Sequence, residues 1–175
     1  MRRIALVLEY EGTRYAGFQV QSNVTSVQGT VETAVRQLTG SATRVYGAGR
    51  TDSGVHAREQ VVSFDTGSGL EIERFRTGLN HYLAKDVAVR EAYDVDADFD
   101  PRRHAVRRTY RYTMLESVSR SPLRARFVHH VGQQLDVASM NAALSRLVGE
   151  RDFSPFCGNL PQGGRTVRMM YRTQV

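Results

Sequence analysis

The residues best placed to do chemistry lie in one stretch, Gly47-Ala48-Gly49-Arg50-Thr51-Asp52-Ser53-Gly54-Val55-His56-Ala57. Three glycines bracket the charged tripeptide Arg50-Thr51-Asp52, and His56 follows two residues after the last of them. Glycine allows backbone shapes that side chains forbid and lets a ligand approach the chain closely. An ionised carboxylate can attack an electrophilic carbon or take a proton. A guanidinium nearby keeps that carboxylate charged in a dry pocket, and Arg50 is the local candidate. The residues alone leave a second reading open, because Asp52-Ser53-Gly54 is also ordinary turn chemistry. A dinucleotide loop is rejected. Gly47-Ala48-Gly49 fits the first half of G-x-G-x-x-G, but Asp52 stands where the third glycine belongs and would repel a pyrophosphate.

Several elements must position this loop. Arg3 to Tyr10 is apolar on both alternations, which predicts a strand buried on both faces. Tyr15 and Phe18, in the segment that follows, read as packing residues. Val27, Val31, Ala34, Val35 and Leu38 form a helical stripe, with Ser26 as N-cap and Gly40 just past the end. Thr43 to Tyr46 and Gln60 to Phe64 read as strands on either side of the loop. A second helix is marked by Ile72, Phe75, Leu79, Tyr82 and Leu83, and a fourth strand by Val87 to Val89 with Ala92 and Tyr93. The order β-α-β-β-α-β is the ferredoxin-like arrangement, an α+β fold with an antiparallel sheet and helices on one face. It is assigned to residues 1–98.

Residues 99–175 begin again as strand, helix, strand, which suggests a related but incomplete second lobe. Its first strand is expected over Ala105 to Leu115. There Arg108, Tyr110, Tyr112 and Met114 share one face at period two, with Arg107 and Arg111 on the other. Cations interleaved with aromatics suit nucleic acid, since bases stack on rings while Arg meets phosphate. An ordinary strand with half-buried tyrosines fits the same pattern. Val137, Met140, Ala143, Leu144, Leu147 and Val148 mark a third helix, capped by Asp136 and closed by Gly149. Thr166 to Val175 reads as a last strand.

Composition narrows the function. The chain carries a net charge of +6 with a pI near 9.9, and its cations are 23 Arg against the single Lys85. A basic excess favours polyanions, and Arg grips phosphate with two prongs. Cys157 is the one cysteine, so no internal disulfide forms, which fits a reducing cytoplasm. No apolar run is long enough to span a membrane. The five histidines are scattered, so no metal site is expected. A Ser-His-Asp hydrolase lacks its G-x-S-x-G elbow.

Four stretches carry a family resemblance in order. GAGRTDSGVHA resembles the signature loop of tRNA pseudouridine synthases of the TruA family. YEGTRYAGFQVQ is similar to the opening segment of that family. Phe99-Asp100-Pro101-Arg102 with Arg108-Thr109-Tyr110-Arg111-Tyr112 resembles its second motif. Glu150-Arg151-Asp152-Phe153-Ser154-Pro155-Phe156 with Arg165-Thr166-Val167-Arg168 resembles its later segments. The resemblance implies that Asp52 is the catalytic residue and that Tyr110 lies against the target base. It also implies that Arg50, Arg108, His56 and Arg102 contact substrate or RNA. The implied reaction converts uridine to pseudouridine without a cofactor, in the anticodon stem-loop around positions 38–40, where the base must first be extruded. The implied partners are tRNA and, in a full-length member, a second copy. A usual member continues for a further half-lobe that supplies the basic partner of the catalytic Asp. The alternative is an RNA-binding protein or an inactive fragment on the same scaffold.

Overall fold

The computed structural model describes residues 1–158 and 165–175. It divides into two compact units, Met1–Tyr110 and Arg111–Val175. Residues 99–110 thus belong with the first unit. They are tied to it by Arg3 Nη1 donating to the Phe99 carbonyl at 3.0 Å and by Arg108 Nη2 donating to the Ala48 carbonyl at 2.8 Å.

The first unit runs β1 (Arg2–Tyr10), α1 (Val27–Thr39), β2 (Tyr46–Gly47), β3 (Ala57–Thr66), α2 (Ile72–Tyr82) and β4 (Val87–Val95). The sheet order is β2-β3-β1-β4, and every neighbouring pair is antiparallel. Strand β1 is central, with Leu6 opposite Val62 on one side and Ala92 on the other. Its alternate residues Ile4, Leu6, Leu8 and Tyr10 are buried, together with Val62 and Phe64 of β3 and Val87 and Val89 of β4. Val27, Val31, Ala34 and Val35 of α1, Phe75 and Leu79 of α2, and Tyr15, Phe18 and Val45 from the connecting segments join that core. Side chains alternate across a strand, so this set must share one face.

The expectation that β1 is buried on both faces is corrected. Ala5 on the second face is buried, but Val7 is half-buried and Glu9 is exposed. Glu9 instead pairs with Arg90 at 3.2 Å. Charged residues on that face keep it in contact with water.

Helix α1 begins where the Ser26 hydroxyl accepts the Gly29 N–H at 3.2 Å. It ends at Gly40, whose φ of 75° is left-handed. Both are standard helix punctuation.

The second unit contains β5 (Met114–Glu116), β6 (His129–Val131), α3 (Val137–Ser145), β7 (Gly149–Asp152) and β8 (Val167–Met170). Strands β5 and β6 pair in parallel, and β7 and β8 pair antiparallel in a separate ladder. The expected strand over Ala105–Leu115 is corrected, because only Met114–Glu116 is strand. A strand exists only where a neighbour accepts its ladder of hydrogen bonds. Residues 105–113 lie in no sheet. None of the described residues from 111 onward is buried. Among the described residues, the strands of the second unit form two separate ladders rather than one sheet.

A candidate active-site loop held from behind

The loop from Ala48 to His56 joins β2 to β3 and is braced by the segment that follows β1. Thr51 C=O accepts the Phe18 N–H at 2.9 Å, and Tyr15 C=O accepts the Gly54 N–H at 3.3 Å. The Ser53 hydroxyl also donates to Tyr15 C=O at 3.3 Å. The Tyr10 and Thr51 hydroxyls lie 2.8 Å apart. On the entry side, Ala48 N–H donates to Val61 C=O at 2.9 Å, and the Gln60 amide donates to the Gly49 carbonyl. Several of the loop's backbone groups are thus paired within the protein, and such pairing restrains it.

Close approach explains two glycines in the bracing segment. A Cβ on Gly12 would stand 2.0 Å from the Val55 carbonyl oxygen. One on Gly17, whose φ is +99°, would stand 2.7 Å from the Thr51 oxygen. The YEGTRYAG string and the Asp52 loop are therefore two halves of one structure.

That bracing segment is itself anchored. Tyr15 is 5% exposed, and its hydroxyl donates to Asp86 at 2.8 Å. Burial and the neighbouring Asp86 carboxylate push the Tyr15 pKa up to about 12. Burial pushes the Asp86 carboxyl upward, but donors from Arg14 and Tyr15 outweigh it and hold the group below its ordinary value. Phe18, 3% exposed, packs under Gly47. Tyr15 and Phe18 are the packing residues that the sequence suggested.

Asp52 is exposed at the front of this frame. Its carbonyl closes a turn by accepting the Val55 N–H at 3.2 Å, and Gly54 takes a φ of 79°. The turn reading holds, since main-chain atoms close the turn, and that closure leaves the exposed carboxylate unused by the turn. Arg50 is also exposed.

His56 is half-buried and also makes a contact within the protein. Its Nδ1 accepts the Gly12 N–H at 3.0 Å. The main-chain N–H can only donate, so Nδ1 carries no proton there. Glu11 Oε1 lies 3.6 Å from the same nitrogen, and that contact is an ion pair only in the protonated ring. The bond with the Gly12 N–H is the shorter of the two contacts. His56 joins the loop's end to the bracing segment.

Arg108 and Arg102 meet through the backbone. Arg108 Nη2 donates to the carbonyls of Ala48 at 2.8 Å and Arg102 at 3.1 Å. Asp100 accepts the N–H groups of Arg102 and Arg103, at 2.8 and 3.0 Å. Those donors hold the Asp100 carboxyl below its ordinary value. Arg108 therefore grips the start of the loop while Arg102 keeps an exposed side chain. Tyr110 is 85% exposed. Two peptide units separate it from Arg108, so their Cα atoms lie within roughly 7.6 Å of each other.

Sequence reasoning missed several contributors. Gln28 sits in the apolar stripe of α1 and is 2% exposed. Its amide donates to Val45 C=O at 3.1 Å and to Glu32 at 2.8 Å, and its oxygen accepts the Val20 N–H at 3.0 Å. It therefore fixes the chain entering the loop. A polar residue at a stripe position was the available signal. Asp86 lies 34 residues beyond Asp52 and left no local signal.

A family model described as tRNA pseudouridine synthase matches residues 6–102. That span holds both the loop and its bracing segment. The chain is 44% identical over 171 residues to tRNA pseudouridine synthase A of Geobacter sp. (strain M21), covering 98% of this chain and 69% of that protein. The protein of the same name from Citrifermentans bemidjiense is 43% identical, with 98% and 68% covered. The one from Geotalea uraniireducens is 39% identical, with 100% and 72% covered. The chain belongs to the tRNA pseudouridine synthase family, whose members are isomerases.

Proposed function

We propose that this chain isomerises uridine to pseudouridine in tRNA, with Asp52 as the reacting carboxylate. The observation that carries the reading is an exposed carboxylate on a loop braced from behind by hydrogen bonds to Tyr15, Phe18 and Tyr10. Such a group is fixed in direction and open to a substrate in front.

The reaction cuts the N-glycosidic bond of uridine, turns the base, and joins its C5 to C1′ of the same ribose. Atoms balance without redox change or added group, so the residues need only supply a carboxylate, a way to hold the base, and shelter from water. Asp52 attacks the sugar, attacks the base, or promotes a glycal path; all three use the same carboxylate. Extruding a stacked base costs a few kcal/mol. Stacking on a ring returns roughly 1–3 kcal/mol. The exposed Tyr110 ring, tethered next to Arg108 at the loop, is the stacking candidate. Arg50 is the exposed cation beside Asp52, suited to a phosphate or the displaced base.

Charge supports an RNA partner. Residues 111–175 hold nine Arg against four carboxylates, a net +5, while the first 110 residues carry +1. We assign the second unit the larger electrostatic share of tRNA binding. The target uridine in the anticodon stem-loop around positions 38–40, extruded before reaction, follows from the resemblance. We read the first unit as a ferredoxin-like lobe, which the order β2-β3-β1-β4 with its two helical crossovers supports. A cytoplasmic homodimer completes the reading, and the exposed Cys157 thiol fits a reducing compartment.

The test is substitution of Asp52 by Ala and by Asn, with pseudouridine measured in tRNA and tRNA affinity measured alongside. Both variants should lose turnover while affinity stays within a few fold. Undiminished turnover in either variant would end the catalytic assignment. tRNA binding without turnover by the unsubstituted chain would leave an RNA-binding role alone.

A further inference from the structure

Tyr10 is a buried phenol with no part in the chemistry above. It ends β1, pairs with Ala57 on one side and Val87 on the other, and is 3% exposed. It therefore cannot touch a substrate. Burial pushes its pKa up, so the hydroxyl keeps its proton at neutral pH. That hydroxyl lies 2.8 Å from the hydroxyl of Thr51, the residue immediately before Asp52.

Thr51 is held twice. Tyr10 meets its side chain, and Phe18 N–H meets its carbonyl at 2.9 Å. The Thr51 carbonyl and the Asp52 nitrogen share one planar peptide unit. Fixing that carbonyl and the Thr51 Cβ direction together fixes the plane from which the Asp52 side chain departs. The brace comes from the middle strand of the sheet, a more rigid support than another loop.

We infer that Tyr10 is a positioning residue for Asp52, acting through the Thr51 hydroxyl and setting the direction of the carboxylate. The inference rests on Asp52 being the reacting group. It goes further by placing the control of its direction in a residue that never meets RNA. Misdirection affects the transition state more than substrate binding, so the signature is a fall in kcat with KM for tRNA preserved.

The experiment compares Tyr10→Phe, Thr51→Val, Thr51→Ser and the double variant Tyr10→Phe/Thr51→Val in the full chain. Tyr10→Phe removes one oxygen and keeps the ring. Its kcat should fall roughly tenfold, in line with losing one positioning hydrogen bond. Thr51→Val should match it, Thr51→Ser should restore most of the rate, and the double variant should be no worse than either single one. Amide exchange provides a readout independent of turnover. In Tyr10→Phe the amides of Phe18, Gly54 and Val55 should exchange faster while those of Ile4 to Leu8 stay unchanged. Full kcat in Tyr10→Phe, a raised KM with kcat intact, equal losses in Thr51→Ser and Thr51→Val, or unchanged loop exchange would each overturn the inference. If the unsubstituted chain makes no pseudouridine, the catalytic reading of Asp52 fails by itself. The exchange data then still decide whether Tyr10 holds the loop.

Discussion

At the scale of single residues, the site is a matter of what lies behind Asp52. Gly17 illustrates this, because its left-handed backbone and its contact with Thr51 both exclude a side chain. Gly40 has a similar φ but open space around it. Gly40→Ala should cost about 1 kcal/mol from backbone strain alone. Gly17→Ala adds overpacking against the loop and should cost on the order of 2–4 kcal/mol, with turnover reduced as well. Urea unfolding of the two variants checks this, and equal losses would show that the contact with Thr51 is slack. The pattern R-T-D-S-G-V-H in the sequence singled out Asp52, but it gave no sign that the His56 ring reaches back to the bracing segment. That contact depends on Gly12, 44 residues away, whose N–H the ring accepts.

At the scale of elements, cross-strand charges tie the strands together. Arg3 on β1 makes two 2.8 Å hydrogen bonds to Asp65 on β3, and these hold the Asp65 carboxyl below its ordinary value. The folded pKa is depressed, so the pair stabilises the fold fully above the unfolded value near ~3.9. That contribution is lost as pH falls through the folded value. The chain should therefore lose stability below about pH 4, and Asp65→Asn should flatten part of that acid-side slope. Urea midpoints at acid and neutral pH for both proteins decide it, with identical slopes counting against the pair. The helices were readable from their stripes because a 3.6-residue period needs only local information. The arginine-tyrosine stretch from 105 to 113 was not. Its alternation has the period of a strand, but a strand also requires a neighbour, and alternation cannot reveal whether one is present.

At the scale of the molecule, stability and charge are divided between the two units. Among the described residues, every buried apolar residue of the core lies in the first unit, and most of the chain's net charge lies in the second. Amide exchange in the native state should therefore be slowest in β1, β3, β4 and α1 and fast in β5, β6, α3, β7 and β8. Slow exchange in α3 comparable with that in β1 would contradict this division.

The amino-acid order by itself determined the helices, the four strands of the first sheet, the loop that carries Asp52 and the family. Each is written in short windows, as a period, a cap or a motif, and local chemistry is enough to read it. Only the tertiary structure decided that β1 has one open face, that His56 and Arg108 serve the loop's backbone, and that Tyr10, Gln28 and Asp86 support it. Those roles come from hydrogen bonds and contacts between residues distant along the chain, and such partners are chosen when the chain packs.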